Sequence, residues 1–193
     1  MALNQVRKIL PSIFLWTMLP MLALSNGLLI WQNKKLRAEV DRHKPNILQK
    51  GDKVEAFSAS SLRNQTISVN YTGKEPTRVF LFFTASCPYC SEQFPYWKEM
   101  LSKANGNHFQ IIGVVSESED RTKLEEYLKS QDCDFLPVAI LPREISKNYK
   151  LSVTPTTLVI DNEGKVQQVW TGKWTASELA NAGSLLGFQV SQR

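Results

Sequence analysis

A single junction in the chain narrows the possible folds more than any other feature. Arg78 to Thr84 (RVFLFFT) is a continuous apolar run, and Cys87-Pro88-Tyr89-Cys90 follows two residues later. A short apolar run without alternation is the pattern of a strand buried on both faces. From Pro88 to Lys103, Phe94, Trp97 and Leu101 recur at helical spacing, and Asn105-Gly106-Asn107 supplies a stop. The cysteine pair therefore stands where a buried strand turns into a helix. Such a strand needs partners on both edges and cover on both faces.

The remaining pattern provides them. Val54–Ser60 and Gln65–Asn70 read as two short strands around a polar turn, and Phe109–Val115 as a second buried strand. Glu119–Ser130 is an amphipathic helix with Leu124, Tyr127 and Leu128 on one face. Leu136–Leu141 reads as a strand and Arg143–Tyr149 as a short helix. Thr156–Asp161 and Lys165–Trp170 flank Asn162-Glu163-Gly164, a hairpin turn signal, and Thr175–Leu186 is a last helix with Thr175 as its N-cap. The order β-β-β-α-β-α-β-α-β-β-α predicts an α/β domain over residues 46–193, with a central mixed sheet between helices.

The charge lies elsewhere. The 193 residues carry 23 basic and 18 acidic side chains, a net charge of +5. Residues 1–45 hold seven of the basic and two of the acidic groups, so the domain that follows is neutral, with sixteen of each. A domain without surplus positive charge is a poor partner for nucleic acid. Within the first segment, Ile9–Trp31 contains no charged residue over 23 positions, about 34 Å as a helix and enough for a hydrocarbon core of roughly 30 Å. Residues 1–31 are therefore expected to be a membrane anchor. The competing reading is a cleaved signal peptide, with Arg7 and Lys8 ahead of the apolar run and small residues around Ala23-Leu24-Ser25. Residues 32–49 form a polar tether that Pro45 interrupts. Two basic side chains precede the span and five follow it, which taken alone would leave the domain in the cytoplasm. The redox chemistry below argues for the outer side.

A helix N-terminus carries partial positive charge and unpaired N–H groups, and it stabilises a thiolate. Cys87 in that position is the candidate nucleophile, and Cys90, one turn on, is placed to close a disulfide with it. Pro88 suits a first turn that needs no N–H. Zinc is the alternative use of two such cysteines, but it requires four ligands, and only Cys133, His43 and His108 remain to complete a site. A purely structural disulfide is a further alternative. Cys133, between Asp132 and Asp134, reads as an unpaired thiol dulled by two carboxylates. A second proline stands out in Val153-Thr154-Pro155-Thr156-Thr157, just ahead of an apolar strand whose ladder it cannot join. A cis Thr154–Pro155 bond is expected there, turning the Thr154 backbone towards the cysteines.

FFTASCPYCSEQFP followed by VTPTTLVIDNEGKV resembles the thioredoxin superfamily, and within it the membrane-anchored TlpA/ResA-like thiol–disulfide oxidoreductases, also grouped with the redoxins. KGDKVEAFSASSLRNQTISV is similar to that group's N-terminal β-hairpin, so the resemblance spans roughly Lys50 to Leu186. It implies a thioredoxin fold over residues 50–193 with an extra N-terminal hairpin. It also implies Cys87 as attacking cysteine, Cys90 as resolving cysteine and Pro155 as the cis-proline, with Pro88, Tyr89, Thr154 and Pro155 meeting the substrate. Three positions depart from the pattern: Leu81 replaces a buried aspartate, Ser86 a tryptophan, and Gln93 a glutamate used by some members. Glu92, one position away, is the remaining candidate for proton transfer.

The function these readings favour is a tethered, exported oxidoreductase. It would exchange disulfides with protein clients, without a small-molecule cofactor, and draw electrons from a membrane or soluble thiol donor. A thiol peroxidase is an alternative because Thr84-Ala85-Ser86-Cys87 matches part of a peroxiredoxin site, although Phe80 stands where that site has proline. A copper-holding assembly module on the same fold is a third reading.

Overall fold

The computed structural model describes residues 2–42, 46–104 and 109–190, with side chains in the first stretch from residue 18 to 40. His43, Pro45, His108 and the stop at Asn105-Gly106-Asn107 lie outside the described residues. The chain divides into two compact units, Met1–Pro45 and Asn46–Arg193. The first contains helix α1 (Ala2–Arg42), which is continuous through Pro11 and Pro20. Its side chains from Met18 to Val40 are exposed, including Leu22, Leu24, Leu29 and Trp31. Among the described residues, no helix is long and apolar enough to cross a membrane.

The second unit has seven strands: β1 (Phe57–Ser61), β2 (Thr66–Val69), β3 (Thr77–Phe82), β4 (Phe109–Ser116), β5 (Val138–Leu141), β6 (Thr156–Ile160) and β7 (Val166–Thr171). They form one mixed sheet in the order β2-β1-β5-β4-β3-β6-β7. Strand β3 pairs in parallel with β4 and antiparallel with β6, so the apolar run lies at the interior of the sheet, as its composition requires. Strand β1 instead alternates buried and exposed residues, the pattern of a strand covered on one face.

Helices α2 (Pro88–Ala104) and α3 (Arg121–Ser130) connect β3 to β4 and β4 to β5, two successive parallel steps in the same direction along the sheet. Right-handed crossovers in one direction place both helices on the same face. Their buried residues accordingly join one cluster: Cys90, Phe94, Trp97 and Met100 from α2, and Leu124 and Leu128 from α3. Leu179 and Ala182 of α5 (Ala176–Leu186) complete it. The opposite cluster contains Leu48, Phe57 and Tyr149, with Ile145 of α4 (Arg143–Asn148) packed against it. Strand β3 divides its side chains by the period of two, with Val79 and Leu81, and Phe83 just after the strand, facing the first cluster and Phe80 and Phe82 the second.

Several boundaries shift for local reasons. The first strand starts at Phe57 rather than Val54, because Lys53 bridges Lys165 and the Val54 N–H donates to the Gly164 carbonyl at 2.8 Å, beside the β6–β7 turn. The strand expected from Leu136 starts at Val138. Pro137 has no N–H to give, and the Leu136 N–H turns back to the Cys133 carbonyl at 3.0 Å. Helix α3 starts at Arg121 because the Asp120 carboxylate caps it, accepting from the N–H groups of Thr122 and Lys123. Thr175 caps α5 in a reciprocal box with Glu178, as the sequence anticipates.

Candidate active site

Three chain segments meet at one end of the sheet. Register pairs Phe82 of β3 with Val114 of β4 and Thr156 of β6. The C-terminal ends of the two parallel strands therefore lie beside the N-terminal end of the antiparallel one, where sheets of this kind bind their ligands. The turn after β3 brings Cys87 to the start of α2, with its N–H donating to the Thr84 carbonyl at 3.3 Å. The segment before β6 brings Thr154 and Pro155, joined by a cis peptide bond. The Cys87 Sγ lies 3.7 Å from the Thr154 carbonyl oxygen. The two sequence-distant motifs thus converge on one sulfur.

The two thiols occupy different environments. All three cysteines are free; Cys87 is half-buried, whereas Cys90 is 0% exposed. Cys90 belongs to the stripe of Phe94 and Trp97, which turns it into the core. Burial, and next the hydrogen bond with the Cys87 thiol, pushes the Cys90 thiol up to about 12. Pro88 is exposed and Tyr89 is 62% exposed, so both stand at the rim beside Cys87.

Glu92 projects away from the core and is half-exposed, with its carboxylate 2.6 Å from the Lys173 ammonium. Gln93 is fully buried and anchors α2 instead of carrying a proton: its Oε1 accepts from the Trp174 N–H at 2.6 Å, while its Nε2 has no partner. Leu81, in place of the aspartate expected by resemblance, packs fully buried in the core beneath α2. Cys133 is also fully buried, and its thiol is pushed up mainly by burial. Asp132 and Asp134, which the sequence suggests as the cause, contribute less than burial and are opposed by Lys98.

The structure adds residues that the sequence reading passed over. An open groove of about 520 Å³ borders the turn that leads into Cys87, lined among others by Ala85, Ser86, Glu119 and Tyr127. The Glu119 carboxylate accepts from the Ala85 N–H at 3.4 Å, two residues before Cys87. The Tyr127 hydroxyl is 3.2 Å from the Ser91 Oγ, next to Cys90 in the chain. Its phenol is pushed up to about 12, chiefly by burial, so it stays protonated. Neither residue belongs to a motif. The available signal was positional: Glu119 follows a buried strand, and Tyr127 lies on the apolar face of a helix.

Chemically, the arrangement is a half-buried thiol at a helix end with a second, buried thiol behind it, next to a backbone carbonyl. Among the described residues, no three His, Cys, Asp or Glu side chains converge to hold a metal ion.

Comparison with known proteins agrees with this reading. The AhpC/TSA family model matches residues 50–169. Thiol-disulfide oxidoreductase ResA of Bacillus thuringiensis is 30% identical over 149 residues, which span 76% of this chain and 78% of that protein. ResA of Bacillus subtilis is 30% identical over 109 residues, 56% of this chain and 60% of that protein. Among solved structures, a thiol:disulfide interchange protein of the thioredoxin family from Chlorobium tepidum superposes with a TM-score of 0.59 at 19% identity, covering 72% of this chain and 98% of the other. The thioredoxin domain of a thiol-disulfide oxidoreductase from Bacteroides vulgatus gives 0.59 at 18% identity, with 72% and 97% covered. The chain therefore belongs to the AhpC/TSA family, as one of its thioredoxin-fold thiol–disulfide oxidoreductases.

Proposed function

We propose that this chain is an exported, membrane-tethered reductase that transfers electrons to disulfides of protein clients through Cys87 and Cys90. The observation that carries the reading is the asymmetry of the pair: Cys87 is accessible at the start of α2, 3.7 Å from the Thr154 carbonyl, and Cys90 is sealed behind it. The Cys87 thiolate attacks one sulfur of a client disulfide. A Cys87–client bond forms, and the other client sulfur leaves as a thiolate that takes a proton. Cys90 loses its proton and attacks the Cys87 sulfur, releasing the second client thiol. The client gains two electrons, and the protein is left with a Cys87–Cys90 disulfide that a thiol donor must reduce.

In this reading the exposed Pro88 and Tyr89 and the Thr154–Pro155 segment border the client. The Glu92 carboxylate, held by Lys173, is given no step. Ile9–Trp31 serves as the anchor; its support is the uncharged run of 23 residues in the sequence, of which the side chains of Ile9–Thr17 lie outside the described ones. Cys90→Ser in the native host should leave clients disulfide-linked to Cys87, recoverable as adducts that dithiothreitol releases. A membrane-impermeant maleimide should label reduced Cys87 on intact cells. No adduct from Cys90→Ser would end the reductase reading, and labelling only after lysis would end the exported one.

A further inference from the structure

The groove beside Cys87 has a charge that the domain as a whole lacks. Residues 46–193 hold equal numbers of acidic and basic groups, yet the groove lining includes Glu119, Asp120 and Glu126 against one cation, Lys123. The arrangement follows from topology. Glu119 and Asp120 stand at the C-terminal end of β4, and Lys123, Glu126 and Tyr127 follow on α3 at the three- and four-residue spacings that share one helix face. Among the described residues, none of these three carboxylates is in an ion pair, whereas Glu92 on α2 is bound to Lys173. Glu119 is half-buried and fixed by the Ala85 N–H, while Asp120 and Glu126 are exposed. Ser86 and Ala85 form the wall shared with the catalytic turn, so the groove ends one residue short of Cys87 in the chain.

We propose that this groove docks an extended client segment carrying Lys or Arg close to its reactive cysteine, and that the acidic wall selects such clients. The inference rests on the oxidoreductase reading and specifies its substrate class. Opposite charges at a partly exposed wall contribute modestly per pair, and they act mainly on encounter and on choice among partners. Two such pairs correspond to roughly a tenfold difference between basic and acidic clients at low salt.

The test uses the reduced full-length chain in a neutral detergent. The substrates are three disulfide-linked homodimers of a short peptide with a single cysteine, flanked by lysines, alanines or glutamates. The rate of Cys87 attack is divided by the rate of dithiothreitol attack on the same dimer, which removes the peptide's own effect on its leaving thiol. The lysine dimer is expected to exceed the glutamate dimer by about tenfold at low ionic strength, shrinking to within about twofold in 0.5 M salt. In a chain carrying Glu119→Gln and Glu126→Gln the ratio should fall to about twofold, whatever happens to the absolute rates. Equal normalised rates for the three dimers, or a ratio that the double variant leaves intact, would overturn the proposal. Failure of all three dimers to react with the chain, while dithiothreitol reduces them, would instead remove the oxidoreductase reading beneath it.

Discussion

The two faces of the sheet are both packed with aromatic residues, but they treat buried polar groups differently. On the face opposite the cysteines, the Tyr71 and Tyr149 hydroxyls are 3.0 Å apart, and the Tyr149 O–H donates to the Glu55 carbonyl at 2.9 Å, ending the chain on an acceptor. On the catalytic face, the Trp97 Nε1–H reaches the Thr157 Oγ1 at 2.9 Å, but the Gln93 Nε2 and Trp174 Nε1 groups are buried without partners. Among the described residues, the opposite face has one such atom, Arg78 Nε, in a buried side chain that also donates to Gln110. Each orphaned donor costs about 1–3 kcal/mol. The comparison places more of that cost beside the redox helix, on the face that must also hold an uncharged thiol and support an open groove.

The largest expected effect tests whether chemistry belongs to one face alone. Cys87→Ser should reduce disulfide exchange to the uncatalysed rate because it removes the nucleophilic sulfur, while Tyr149→Phe on the other face should leave it within about twofold. Turnover of a disulfide-linked peptide measures both. Comparable loss in the two variants would mean that the faces are coupled and the division is wrong.

Stability provides the next contrast. Trp97→Ala should cost about 3–5 kcal/mol, from the cavity and from the abandoned Thr157 hydroxyl. Tyr149→Phe removes only an O–H and should cost about 1–2 kcal/mol through the Glu55 carbonyl it leaves. Urea unfolding monitored by circular dichroism would rank them, and a larger loss from Tyr149→Phe would reverse the assignment of which face bears more strain.

Alkali should separate the faces by pH. The Cys90 thiol is raised from an ordinary value of about 8.5 to about 12. A group with a raised folded value contributes stability that is complete below its unfolded value and is lost as pH climbs towards the folded one. Loss from Cys90 therefore begins near pH 8.5. Tyr71, also raised to about 12, begins to contribute only near the ordinary tyrosine value of about 10, as does Tyr149, raised by burial in the same direction. Cys133, whose thiol burial raises in the same direction, starts to contribute at the same point, so Cys90→Ala combined with Cys133→Ala should delay the onset of alkaline destabilisation from about pH 8.5 to about pH 10. An unchanged onset in the double variant would show that the fold holds neither thiol protonated.

The smallest effect concerns the surface. Glu92→Gln should leave stability nearly unchanged, because its pair with Lys173 is half-exposed on both sides and screened by solvent. If Glu92 has no proton to carry, the variant should also leave the pH dependence of client release unchanged. A displaced pH profile would restore it as the acceptor for Cys90.

Much of this was legible in the chain itself. The run at Arg78–Thr84 reads as a buried strand because it is short, apolar without alternation and bounded by polar residues, and the spacing of Cys87 and Cys90 from it placed both thiols at the start of a helix. The cis bond before Thr156 and the N-cap at Thr175 follow from local chemistry in the same way, through a proline that cannot enter a ladder and a threonine just ahead of a helical run. These signals depend on neighbours in sequence, and backbone sterics and periodicity make them readable there.

What only the tertiary structure decided depends on neighbours in space. Nothing local distinguishes Glu92 from Glu119, yet α2 turns Glu92 towards Lys173, 81 residues away, and the end of β4 brings Glu119 to Ala85, 34 residues back. The Cys133 thiol is dulled mainly by depth in the core, although Asp132 and Asp134 are its neighbours in the chain. Charge and desolvation act through distance and dielectric, and both are properties of the packed chain; periodicity and steric exclusion act along the backbone, where the order of residues is sufficient.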